Sequence, residues 1–160
     1  MIEQRTHYGF GTVLDVPFET ALQQTRDALA AEGFGVLCDI DVAATLRQKL
    51  GVAMPPYAIL GACNPPLANQ ALQAEPDIGL LLPCNVVVYA TDVPNATVVA
   101  AMDPEAALAL TGNDAMRPIA AQVAARLRRV VEHVASARTN EAAGRPAMKG
   151  SDAGTMASGD

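Results

Sequence analysis

Residues 84–102 read CNVVVYATDVPNATVVAAM, and this stretch decides the fold class. Two runs rich in β-branched residues, Cys84–Tyr89 and Thr97–Met102, enclose the short segment Asp92–Asn95. β-Branched residues favour extended backbone, whereas Asp, Pro and Asn are typical of turns. The pattern therefore predicts an antiparallel β-hairpin in which the two runs pair with each other.

On either side of this hairpin, short strands and helices alternate. Gly33 and Gly51 are placed to end helices, and Asp41 is placed to begin one. The predicted strands cover residues 6–14, 34–40 and 57–62, and the predicted helices cover 17–32, 42–50, 67–74, 104–112 and a long final segment from 116. This order predicts a single α+β domain with a mixed or antiparallel sheet and helices packed mainly on one face.

The chain has 160 residues, which is about the length of one domain. We assign residues 1–137 to that domain, because the composition changes at Arg138. Residues 138–160 contain no aromatic and no β-branched aliphatic residue. Such a segment cannot bury enough apolar surface to offset its ordering entropy, so we expect a disordered C-terminal tail over 138–160.

The net charge of −6 limits the classes of partner. A nucleic-acid-binding domain needs a basic face, so we expect no nucleic-acid partner. No apolar run reaches the roughly 18 residues that a spanning helix needs, so we expect no membrane partner. Residues 1–5, MIEQR, are not followed by the apolar core of an export signal. We therefore expect a cytoplasmic protein.

The three cysteines are Cys38, Cys63 and Cys84, an odd and widely spaced set that favours reduced thiols. Cys63 and Cys84 each lie at a predicted strand boundary next to proline, so they meet at one end of the sheet if the two strands are neighbours. Cys63 also precedes a predicted helix, whose dipole favours a thiolate. Such a pair can bind a soft metal or haem iron, or cycle through a disulfide. Alternatively, both are small buried apolar residues.

Polar residues beside these cysteines are further ligand-binding candidates. Asn64 and Pro65 read as a capped helix entry, or as an anion site at that helix N-terminus. Asn85 directly follows Cys84. Asp39 and Asp41 are two residues apart on a strand, so both face one side and are able to share a proton or hold a cation. Alternatively, Asp41 caps a helix and Asp39 is a solvated neighbour.

Four segments resemble the domain of unknown function 302 family: ILGACNPPLA at 59–68, GLLLPCNVVV at 79–88, GFGV at 33–36 and AMDPE at 101–105. One departure is Cys38-Asp39, where members typically read Thr-Glu. The resemblance implies an α+β fold and a homodimer. It implies no established reaction.

Two functions of different classes follow from these residues. The first is a cytoplasmic ligand-binding module that holds a small ligand, haem or a soft metal at Cys63 and Cys84. The alternative is a small thiol-dependent enzyme or redox protein that uses a thiolate at Cys63, with Asp39 or Asp41 as proton carrier. The motifs of the common hydrolases, nucleotide-binding proteins and zinc proteases are absent from the sequence.

Overall fold

The computed structural model describes residues 1–143, and the side chains of residues 1–137. The strands are β1 (Glu3–Thr6), β2 (Gly9–Leu14), β3 (Gly35–Asp41), β4 (Tyr57–Cys63), β5 (Cys84–Ala90) and β6 (Thr97–Met102). The α-helices are α1 (Phe18–Ala31), α2 (Val42–Leu50), α3 (Pro65–Ala74), α4 (Pro104–Leu108) and α5 (Met116–Ala143). Short 3-10 helices cover Pro76–Leu81 and Ala109–Thr111.

Within residues 1–143, the six strands form one antiparallel sheet in the order β1-β2-β6-β5-β4-β3. The predicted hairpin is confirmed, because β5 and β6 pair antiparallel with Val88 opposite Val99. On its other side β5 pairs with β4, where Val86 lies opposite Leu60. The α+β prediction is therefore confirmed in its antiparallel form.

The helices pack mainly on one face of the sheet, which we call the covered face. Buried strand residues of the covered face are Leu60, Val86, Val88 and Val99. Successive strand residues point to opposite sides of a sheet, so the residues between them lie on the other side, which we call the open face. There Val87 is half-buried and Val13 is exposed. The single-sided arrangement predicted from the element order is confirmed.

Helix α5 supplies much of the core. One apolar stripe of this helix is buried and includes Ile119, Val123, Leu127, Val130 and Val134. The helix continues to Ala143, past the boundary expected at residue 137. Most of the tail predicted over 138–160, namely residues 144–160, lies outside the described residues.

Side-chain caps fix two of the helix starts as predicted. Asp41 accepts a hydrogen bond from the Ala44 N–H at 2.8 Å and thereby begins α2. Asn64 accepts one from the Leu67 N–H at 3.3 Å and thereby begins α3. Each cap satisfies a backbone donor that the first helical turn cannot satisfy by itself.

The prediction of one strand over residues 6–14 is wrong. The chain turns at residues 7–8, so that β1 and β2 form a hairpin with Gln4 opposite Phe10. Local hydrogen bonds hold this turn: the Tyr8 N–H donates to the Thr6 hydroxyl at 3.2 Å, and the Gln4 amide donates to the Thr6 carbonyl at 2.7 Å. The hairpin needs neither Asn-Gly nor Asp-Gly, which is why the sequence pattern did not reveal it.

Candidate functional site

A small cavity lies at the end of the sheet where β4 ends and β5 begins. Its wall includes Cys63, Cys84 and Met102, together with apolar side chains of α3, α4 and α5. The strand register places both cysteines at the same end of the sheet, because Ala62, next to Cys63, pairs with Cys84. The cavity volume is about 30 Å³, which is room for about two water molecules.

Cys84 is the most enclosed of the three thiols. Its side chain is buried, whereas Cys63 is half-buried and Cys38 is exposed. Burial raises the pKa of the Cys84 thiol to about 11, and the nearby Cys63 adds to this rise. Desolvation disfavours the charged form of a thiol, so Cys84 is protonated at neutral pH.

The donors that this cavity offers are soft. Within the described residues, no cluster of three or more His, Cys, Asp or Glu side chains is suited to hold a metal ion. The wall of the cavity instead includes three sulfur-containing residues, Cys63, Cys84 and Met102. His133 lines a separate hollow beside Glu32 and Arg129. A ligand at the cavity would therefore meet sulfur atoms in an apolar setting.

Asn64 and Pro65 have structural roles at the start of α3. The Asn64 amide donates to the Gly33 carbonyl at 3.2 Å, while its oxygen caps the Leu67 N–H. Pro65 and Pro66 carry no backbone N–H. An anion at a helix N-terminus is held by free backbone N–H groups. In the first turn of α3, the two prolines have no N–H to offer, and the Leu67 N–H is already bonded to Asn64. The geometry thus favours the capping role.

Asp39 and Asp41 have different partners. Asp39 forms an ion pair with Arg26 of α1, and Asp41 caps α2. Asp39 pairs with Leu60, three residues along β4 from Cys63, which is about 10 Å at the rise of a strand. That separation exceeds the reach of a direct proton transfer between Asp39 and Cys63.

A larger groove, of about 440 Å³, lies on the open face. All three tyrosines of the chain, Tyr8, Tyr57 and Tyr89, line it together with Arg5 and Asn85. Asn85 follows Cys84 in the sequence, yet strand alternation directs the two side chains to opposite faces. Asn85 therefore belongs to this groove and is separated from the cysteine cavity.

The tyrosines form a compact group within the groove. Tyr57 and Tyr89 pair across β4 and β5, and their rings stack with centroids 5.2 Å apart and planes 6° from parallel. Burial raises the pKa of Tyr57, and the hydroxyls of Tyr89 and Tyr8 add to the rise. The Arg5 guanidinium lies 3.4 Å from the Tyr89 hydroxyl. Aromatic faces, a cation and an amide thus share one concave surface.

Sequence reasoning missed Tyr57, Tyr89, Arg5 and Met102 as candidate residues. Strand alternation was a partial signal for the first two, because it directs Tyr57 and Tyr89 to the side opposite their strand neighbours Ala58 and Val88, and the structure shows those neighbours to be buried. Alternation predicts the side of the sheet on which each tyrosine lies, but it does not predict which strands are adjacent. The pairing of β4 with β5 is what brings the rings together.

These features define a small α+β domain whose antiparallel sheet is covered by helices on one side. The chain belongs to the family described as "Domain of unknown function DUF302", which matches residues 10–134. The chain is similar to the crystal structure of an uncharacterized conserved DUF302 protein from Bacillus stearothermophilus, with a TM-score of 0.74 and 26% sequence identity. The similarity covers 81% of this chain and 99% of that one. No curated protein matches the chain.

Within residues 1–143, no helix combines the length and the apolar character that a membrane crossing demands.

Proposed function

We propose that this protein is a ligand-binding module whose cavity at Cys63 and Cys84 takes up a soft metal ion, Cu(I). The observation that carries the proposal is the wall of that cavity, which includes three sulfur-containing residues, Cys63, Cys84 and Met102, among apolar residues. Thiolate and thioether sulfur are the donors that select Cu(I), whereas imidazole and carboxylate suit harder ions.

The size of the cavity favours an ion over haem. Sites for organic ligands usually enclose about 300–1,000 Å³, an order of magnitude more than the 30 Å³ here. Haem would require α3, α4 and α5 to separate from the sheet, which exposes the core residues Leu67, Leu108 and Val123. A single ion needs no such rearrangement.

The same surroundings favour binding over the alternative function, a thiol-dependent enzyme. A nucleophilic thiol needs a neighbouring base or a helix N-terminus with free N–H groups. Beside Cys63, the first turn of α3 begins with Pro65 and Pro66, and its Leu67 N–H is bonded to Asn64. The candidate proton carrier Asp39 is engaged by Arg26.

Uptake of the ion would be coupled to proton release. Metal ligands must be deprotonated, and burial raises the pKa of Cys84 to about 11. The Cys84 proton must leave when a metal–thiolate bond forms, so the apparent affinity for Cu(I) is expected to rise with pH.

We further propose that the module is cytoplasmic, where its thiols remain reduced, and that it is a homodimer. The support for a dimer is the edge strand β3, where Val36, Leu37 and Ile40 are all exposed. An apolar edge of this kind favours contact with a second chain. Sedimentation equilibrium of the full chain tests this proposal; Leu37→Lys should shift the mass from two chains to one.

The metal proposal is tested by a Cu(I) titration of the full chain, under reducing conditions and in competition with a coloured Cu(I) chelator. We expect one Cu(I) per chain. Cys84→Ser should weaken binding by at least about 100-fold, since even outer-shell changes cost about 10–100-fold.

Cys38→Ser is the matched control, because Cys38 is an exposed thiol outside the cavity wall. It should leave the affinity unchanged. Equal loss in the Cys38 and Cys84 variants would refute the cavity as the site.

A further inference from the structure

We infer that the groove on the open face is a second ligand site, which shares only Met102 with the wall of the cysteine cavity, and that it takes a planar aromatic carboxylate. Tyr57 and Tyr89 would supply ring faces for the aromatic part, and Arg5 would pair with the carboxylate. Three features of the groove support this assignment: the arrangement of the rings, the hydrogen bonding of the arginine and the size of the groove.

Two of the three rings of the groove are held against each other before any ligand arrives. Tyr57 and Tyr89 are stacked and lie on adjacent strands in the sheet. Tyr8 lies on the β1–β2 turn, and its carbonyl accepts the Asp103 N–H at 2.8 Å, which ties the turn to the end of β6. Rigid aromatic side chains bind planar ligands at low entropic cost, because little conformational freedom is lost.

Arg5 is available to an anion. Among the described side chains, the ion pairs of arginine are formed by Arg26, Arg117, Arg128 and Arg129. Arg5 instead donates to the Tyr89 hydroxyl at 3.4 Å, longer than an ordinary N–H···O bond. A guanidinium matches a carboxylate with two parallel hydrogen bonds, a much stronger contact.

The groove has the size of a small-molecule site. Its volume of about 440 Å³ lies in the usual range of about 300–1,000 Å³ for organic ligands. The side chain of Asn85 adds an amide donor and acceptor to the wall. An aromatic ring system with one carboxylate uses the ring faces, the cation and the amide together.

The probe for this site is 2-naphthoate, titrated into the full chain by isothermal titration calorimetry. We expect saturable binding with a dissociation constant of about 1 mM or lower, as ordinary ligand efficiency gives for this size. Arg5→Gln should weaken binding by about tenfold or more, since a charge-assisted hydrogen bond is lost. Tyr89→Leu should weaken it as well, through loss of the ring.

Control variants and a control ligand distinguish binding at this site from binding at the cysteine cavity and from nonspecific binding. Arg117→Gln removes an exposed arginine at the start of α5 and should leave the affinity for 2-naphthoate unchanged. The neutral analogue 2-naphthalenemethanol should bind the wild type and the Arg5 variant equally. Cys84→Ser should not affect 2-naphthoate, and Arg5→Gln should not affect Cu(I), so the two sites can fail independently.

Two results would overturn the inference. One is the absence of saturable 2-naphthoate binding to the wild type at millimolar concentrations, as would occur if a second copy of the chain covered the open face. The other is binding that Arg5→Gln leaves unchanged. Arg5 is exposed on the edge strand β1, so this variant is expected to fold, and its result decides the matter even if Tyr89→Leu does not fold.

Discussion

Neighbouring residues of β5 lie on opposite faces of the sheet and have different surroundings. Cys84 and Val86 point to the covered face, where they are closed off by helices. Asn85 and Tyr89 point to the open face and line a groove that solvent can enter. One strand thus contributes to a cavity of about 30 Å³ with sulfur donors and to a groove of about 440 Å³ with aromatic and charged groups. Residues adjacent in sequence therefore belong to different candidate sites.

The largest expected effect comes from placing a charge on each face in turn. Val86 is fully buried between Leu60 and Ala101, so Val86→Asp leaves an unpaired charge in the core. We expect a loss of at least about 4 kcal/mol in the free energy of unfolding, or no folded protein at all. Val87→Asp, one residue later on the open face, should cost about 1 kcal/mol or less. Urea unfolding of the two variants measures the difference, and similar losses would contradict the assignment of the faces.

The pH dependence of the free energy of unfolding provides a test that involves only the covered face, through the thiol of Cys84. Burial raises the pKa of Cys84 from 9.0 to about 11, so between these values the unfolded chain loses a proton that the folded chain keeps. Stability therefore falls as pH rises from about 9 to 11, by about 2–3 kcal/mol at 1.36 kcal/mol per pKa unit.

Cys84→Ala removes this thiol and should reduce the decline by that amount relative to the wild type. Stability curves of the two proteins from pH 8 to 11 provide the measurement. Parallel curves would show that Cys84 titrates alike in the folded and unfolded chains.

A smaller effect is expected at a tight point on the open face. A Cβ on Gly61 would collide with the Sγ of Cys38 and lie 2.8 Å from Cγ of Pro83. Gly61→Ala should therefore cost about 1–3 kcal/mol by overpacking, as measured by urea unfolding. Cys38→Ala in the same chain should restore part of the loss.

Gly79→Ala is the matched control for this substitution, because a Cβ at Gly79 meets nothing within 4 Å. Its effect should be close to zero. If Gly61→Ala also left the free energy of unfolding unchanged, that result would contradict the close packing of Cys38 against β4.

Most of the fold was predictable because its signals are local. Asp41, Asn64 and Gly51 mark helix ends through hydrogen bonds or backbone angles that involve only nearby residues, and α2 lies at its predicted bounds. The β1–β2 hairpin was missed, because its turn at residues 7–8 depends on the side chains of Gln4 and Thr6 rather than on a standard turn pair.

The candidate site was predictable in part. Strand boundaries next to proline correctly pointed to Cys63 and Cys84 as residues at one end of the sheet, and both line the cavity. Asn85 was grouped with them because it is adjacent in sequence, although alternation separates it. The tyrosine groove depends on contacts between Tyr8, Tyr57 and Tyr89, which are far apart in the chain, so no local pattern reveals it.

The proposed Cu(I) site lies at Cys63 and Cys84, at the end of the sheet where the helices cover it. X-ray absorption at the copper edge of the Cu(I)-loaded full chain tests it most directly, since the spectrum reports the atoms bound to the metal. We expect the copper to be bound by sulfur alone, with one sulfur fewer in Cys84→Ser and no change in Cys38→Ser. A shell of nitrogen or oxygen, or a sulfur shell that Cys84→Ser leaves intact, would contradict it.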